Sequence, residues 1–222
     1  MILFIIVKIG VFCPRDPIRL RRKDDGYNVA ITGATSEALS LQLAELKRRL
    51  EEDSADLKDQ SVLVTLLIGA NDLCMWDCRR PEFQLESFRK HVNDFIDGIV
   101  SDTSANNLDI LVAEVPALEG VPQRAKGTIM EPFAVLECPC AYKNGNIYNF
   151  TERIDKYNQI LRNLKSSPQN PPRPRIIVTN ALRREELKDW PGNMTSKLDA
   201  FHPSKHAHSY FARKLFTEME GA

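Results

Sequence analysis

Three runs in this chain are aliphatic without alternation: "VLVTLLI" (62–68), "DILVAEV" (109–115) and "IIVTN" (176–180). A strand with one solvated face alternates apolar and polar residues. A continuous apolar run is what a strand covered on both faces needs, as in a parallel sheet. Stretches with helical periodicity separate these runs. Leu39, Leu43, Leu46 and Leu50 repeat at helical spacing over 36–51, as do Leu85, Phe88, Val92, Phe95, Ile96 and Ile99. Ile154, Tyr157, Leu161 and Leu164 mark a third helix, and Ala207, Phe211, Leu215 and Met219 a last one. Thr35 or Ser36 suits the cap of the first helix, with Glu37 in its first turn, and Pro203 suits the opening of the last. "YNVAIT" (27–32) reads as a further strand, and 117–149 as irregular.

The resulting βαβαβαβα order predicts a three-layer α/β/α sandwich with a mainly parallel central sheet. We expect one domain over 27–222. Residues 1–26 form an atypical or incomplete N-terminus. Its apolar start, "MILFIIVKIGVF", fits a first strand or the remnant of a truncated start better than a signal peptide, because Lys8 interrupts it and nothing basic precedes it. Thirty basic residues balance thirty acidic ones, which gives no argument for nucleic acid or an anionic surface as partner. No apolar run approaches the roughly 20 residues of a spanning helix.

Of five cysteines, Cys74 and Cys78 are close, and Cys138 and Cys140 form "CPC". The single-residue spacing of the latter does not match the usual zinc knuckles. Disulfides are the favoured reading, with free buried thiols and a metal site as alternatives. Asn149 and Asn193 head N-glycosylation sequons, which agrees with an oxidising compartment.

In open α/β sheets, sites form at the carboxyl ends of the strands. Gly33 follows the run 27–32, Gly69 and Asn71 follow 62–68, and Asp199 and His202 precede the last helix. A carboxylate three residues before an imidazole can hold one ring nitrogen and leave the other for a proton, as a general base requires. The plainer alternative is a helix cap beside a surface histidine. Asn71 and the Gly33 N–H could donate to an oxyanion, a contribution of a few kcal/mol each; an Asx-turn and a glycine turn are their plainer readings. His206, His208 and His91 read as exposed, Trp76 as packing over a disulfide or lining an acyl groove, and Arg19, Arg21, Arg22 and Lys23 as a solvated run.

Taken together, "NVAITGA", "TLLIGAND" and "DAFHPS", in this order, resemble the GDSL/SGNH serine hydrolases. "IGANDLCMWDC" and "ECPC" are similar to their phospholipase B branch. The resemblance covers 27–222. It implies a carboxylic-ester hydrolase acting on phospholipids, lysophospholipids or other acyl esters, without metal or organic cofactor. Gly33 and Asn71 would be oxyanion donors, His202 the base, Asp199 its orienting partner, and Asp72 a brace for the loop. An acyl-ester lipid is the implied partner, with peripheral membrane contact, a monomeric state, no nucleic acid, and an extracellular or lumenal membrane-associated location. The chain departs from the family in two respects: the stretch before "YNVAITG" is far shorter, and no Gly-Asp-Ser occurs anywhere in it. "KIGVFCPRDP" stands where that motif is expected, with Val11 and Phe12 in place of aspartate and serine. The expectation is an incomplete chain whose nucleophile lies outside it. The alternatives are a lipid- or glycan-binding pseudoenzyme and a substitute nucleophile at Cys13; Ser36 reads as a helix cap.

Overall fold

A computed structural model describes residues 2–7, 27–31, 33–52, 61–74, 81–102, 107–129, 131–142, 147–164, 174–180, 194 and 202–220. Four strands, β1 (Ile2–Val7), β2 (Ser61–Leu67), β3 (Asn107–Ala113) and β4 (Arg175–Thr179), form one sheet. The order is β1-β2-β3-β4 and every pair is parallel. The apolar start is therefore a sheet strand in register with β2, from Ile2 opposite Ser61 to Val7 opposite Leu66.

The helices between strands are α1 (Leu39–Glu52), α2 (Ala70–Cys74), α3 (Pro81–Asp102) and α7 (Ile147–Arg162). The sheet is laid down stepwise in one direction. Right-handed crossovers then place all connecting helices on one face. Val62, Val64 and Leu66 of β2 and Leu108, Ile110 and Val112 of β3 indeed bury against Leu39 and Leu46 of α1, Phe88 and Val92 of α3, and Tyr157 and Leu161 of α7. The opposite face is covered at its carboxyl end by α8 (Lys205–Glu220): Ala207 and Phe211 pack with Ala113, Met194 and Leu67. The three layers are those expected from the sequence, and continuous apolar runs made β2 and β3 because both faces are covered.

Three expectations need correction. Residues 27–31 are not a strand, although Val29 and Ala30 are buried. The Asn28 side chain accepts the Ala30 N–H at 3.1 Å, an Asx-type bond that takes a backbone donor out of reach of a sheet ladder. Residues 117–149 are not irregular throughout. They contain α4 (Val121–Ala125), α5 (Glu131–Glu137) and α6 (Pro139–Tyr142), each too short for periodicity to reveal. Pro203 lies two residues ahead of α8, where Ser204 instead opens the helix, its Oγ accepting the Ala207 N–H at 3.3 Å and its carbonyl the His208 N–H.

Candidate active site

β2 ends at Leu67, and Gly69 turns the chain into α2 with φ +107°. A Cβ there would lie 2.8 Å from Val115 Cγ2 and 3.1 Å from the Phe88 ring. Glycine is thus required twice, for its backbone and for the close approach of β3's exit and α3. This turn delivers Asn71 and Asp72 at the carboxyl edge of the sheet. Asn71 Nδ2 donates to the Ala34 carbonyl at 2.8 Å. An amide nitrogen carries a second hydrogen, which that bond leaves oriented. Gly33, at φ 72°, is the residue before Ala34. The two expected carbonyl donors therefore stand on adjoining loops, one peptide from direct contact.

Asp72 fixes the same junction. Both of its oxygens accept the Ser36 N–H, at 3.0 and 2.9 Å, and Oδ1 accepts the Ser36 hydroxyl at 2.5 Å. The brace expected of Asp72 is present, and its partner is the start of the α1 segment. Ser36 is not a side-chain cap. It opens a short 3-10 turn (Ser36–Ala38), and its hydroxyl also lies 3.1 Å from His91 Nδ1. His91, expected on an exposed face, is half-buried and reaches this cluster from α3. Helical phase placed it between apolar positions. Its polar partner comes from another element, which periodicity does not register. Burial pushes the Asp72 carboxyl above its ordinary value, while the Ser36 bonds and His91 pull it the other way. Burial, and then the Asp72 charge, raise the Tyr157 hydroxyl, whose ring stacks 4.4 Å from Phe88.

Two anchors hold the edge from behind. Cys74 at the end of α2 is bridged to Cys138, just ahead of α6, across a sequence separation of 64. Cys140 is disulfide-bonded as well. The fourth disulfide candidate, Cys78, lies outside the described residues, as do Cys13, Trp76, and the 19–23 basic run. At the exit of β3, Asn158 of α7 accepts the Val115 N–H at 2.7 Å and donates to its carbonyl at 3.1 Å, standing in for a strand neighbour. Arg162 makes a two-pronged pair with buried Glu114 at 2.7 Å for each bond.

His202 is buried, with 7% of its surface exposed. It precedes α8, whose Ala207 packs against Leu67 and Ala113, the last residues of β2 and β3. That puts the His202 segment at the same carboxyl edge as Asn71. The surface-histidine alternative does not hold for it, whereas His206 and His208 are exposed. Asp199 lies outside the described residues, as does the Asn193 sequon residue; Asn149 sits in the first turn of α7. No helix among the described residues is long and apolar enough to cross a membrane.

Comparison with known proteins identifies the family to which the chain is similar. Residues 13–215 match the sequence model of the family described as GDSL-like Lipase/Acylhydrolase. The chain is similar to membrane-associated phospholipase B1 of Rattus norvegicus, 28% identical over 144 residues, which is 64% of this chain and 10% of that protein. The Mus musculus phospholipase B1 is 30% identical over 125 residues, 55% of this chain and 8% of that protein. The chain thus spans about a tenth of the length of these relatives. Because the match runs over residues 13–215, most of the chain, the chain belongs to the GDSL-like lipase/acylhydrolase family.

Proposed function

We propose that this chain is the acyl-ester-binding domain of a phospholipase- or lysophospholipase-type hydrolase. The observation that carries the reading is the Asn71–Ala34 bond, which couples Asn71 to the loop of Gly33. In the proposed reaction, a serine attacks the ester carbonyl and His202 takes its proton, with Asp199 holding the imidazole in one tautomer. The Gly33 N–H and Asn71 Nδ2 receive the negative charge that develops on the carbonyl oxygen. His202 then protonates the departing alcohol, and water releases the fatty acid by the reverse sequence. The serine is the one the family carries in Gly-Asp-Ser, which these 222 residues do not spell. The cysteine bridges and the names of the relatives support a secretory, membrane-facing setting.

That same missing motif favours a second reading, a lipid-binding pseudoenzyme that keeps the cleft. Both readings share the carbonyl donors, and a binding experiment tests these without turnover. A lysophospholipid ester is compared with its ether analogue, which lacks the carbonyl. One net hydrogen bond is worth about 0.5–1.5 kcal/mol, so the ester should bind roughly two- to tenfold tighter. Asn71→Ala should remove the difference. Equal affinity of the wild-type chain for ester and ether would overturn the proposal.

A further inference from the structure

Ser36 lies between a carboxylate, Asp72, and an imidazole, His91, yet their proton arrangement is the reverse of a nucleophilic triad. A serine hydroxyl has one proton. Here it goes to Asp72 Oδ1, at 2.5 Å. With Asp72 ionised, the oxygen that remains 3.1 Å from His91 Nδ1 accepts, which requires the His91 proton on Nδ1. A general base has to present a lone pair to the hydroxyl, not a hydrogen. Ser36 is moreover only 2% exposed, with no surface for a substrate to reach. A buried residue that binds Asp72 through both its N–H and its hydroxyl, and His91 through the same hydroxyl, does a different job.

Its position indicates which job. Ser36 is three residues beyond Gly33, and Asp72 directly follows Asn71. His91 enters from α3, the longest helix described and one packed on both α1 and α7. We propose that His91 and Ser36 are positioning residues for the carbonyl-binding pair: the relay His91→Ser36→Asp72 fixes the Gly33 loop against α2, so that the Gly33 N–H and the second Asn71 hydrogen converge on one oxygen. The inference rests on the carbonyl-donor reading above and adds two residues that touch no substrate. It also accounts for a serine and a histidine that the reaction itself leaves unused.

Two readouts test it separately. Long-range 1H–15N spectra of the 222-residue chain report imidazole tautomers directly. The His91 signal should show the proton on Nδ1 and should shift in S36A. Backbone amide changes in S36A should concentrate at Gly33, Ala34 and Asn71. The second readout is the ester-over-ether preference for the lysophospholipid pair. S36A and H91F should reduce it to about onefold, while H91Q, which keeps an N–H donor, should retain most of it. An unprotonated His91 Nδ1 in the wild-type chain overturns the relay, as does an S36A chain with the full ester preference. If S36A fails to fold, the wild-type tautomer and the contrast between H91F and H91Q decide the matter. A wild-type chain with the Nδ1 proton but no ester preference would sink the carbonyl-donor reading while leaving the relay's geometry standing.

Discussion

Asp72 accepts both the amide and the hydroxyl of Ser36, a residue 36 positions earlier in the chain. That contact joins the loop after 27–31 to the loop after β2. Neither loop has a sheet ladder to hold it. A carboxylate with two acceptor oxygens is the smallest side chain that can take an N–H and an O–H at once. The junction depends on its charge, and the buried site opposes that charge.

Asp72→Asn is expected to cost about 1–3 kcal/mol, because the Oδ2 acceptor of the buried Ser36 N–H becomes an NH2 donor. The pH dependence has a definite sign. The folded-state pKa of Asp72 is raised, so on rising pH the unfolded chain releases this proton first. Stability therefore falls as pH climbs from the ordinary carboxylate value through the folded one. Ser36, His91 and Tyr157 are the groups that face it. Urea midpoints against pH for wild type and Asp72→Asn should differ by that slope; parallel profiles would remove the argument.

Glu45 has the opposite sign. Arg48 and Arg49 bond its carboxylate at 2.8 and 2.7 Å and hold its pKa at about 2, against an ordinary 4.5. Its contribution is present above the ordinary value and is lost as pH falls towards 2. Arg48 is half-exposed and screened, so Glu45→Gln should cost only about 1 kcal/mol at neutral pH. The difference from wild type should vanish near the lower pKa. Acid titrations of circular dichroism would show it.

Gly69→Ala should destabilise the chain by about 1–3 kcal/mol. The substitution forces a Cβ 2.8 Å from Val115 Cγ2 at a φ of +107° that side chains rarely adopt. Because Asn71 follows two residues later, the same variant should weaken the ester preference. Denaturant unfolding alongside the binding assay checks both, and an unchanged midpoint would show that the turn relaxes freely.

Breaking Cys74–Cys138 by a double serine substitution should cost about 4 kcal/mol in the chain-entropy account, since the bridge closes a separation of 64 residues. The loss should appear in the unfolding midpoint and as faster amide exchange in α2. A midpoint shifted by less than about 1 kcal/mol would mean that the bridge does not hold the Asn71 helix.

Much of this was legible in the sequence, for physical reasons that also explain the misreadings. β2 and β3 announce themselves because burial on both faces leaves no polar phase, and β4 by its β-branched run although its first four residues are exposed or only half-buried. "YNVAIT" has the composition of a strand, but strand formation is decided by a neighbour to pair with. β2 pairs with Ile2–Val7 on one side and Asn107–Ala113 on the other, and Asn28 diverts a backbone donor of the misread segment. The place of Gly69, Asn71 and His202 at the sheet's carboxyl edge is legible because glycine turns and edge loops follow from strand ends. The place of His91 is not, because a helix's apolar phase says nothing about a polar partner on another helix. The one available hint was "GATSE" beside "GAND", two polar loops at strand ends that had to meet something.

The most direct test of the account is fluorophosphonate labelling of the 222-residue chain, with adducts mapped by mass spectrometry. The probe reports any activated serine without knowledge of the substrate. The account predicts no adduct, since it proposes carbonyl donors and a base in this chain while the family's serine is not spelled in this sequence. An adduct at Ser36, or at any other serine, would contradict it and make this chain a complete hydrolase with a nucleophile assigned wrongly here.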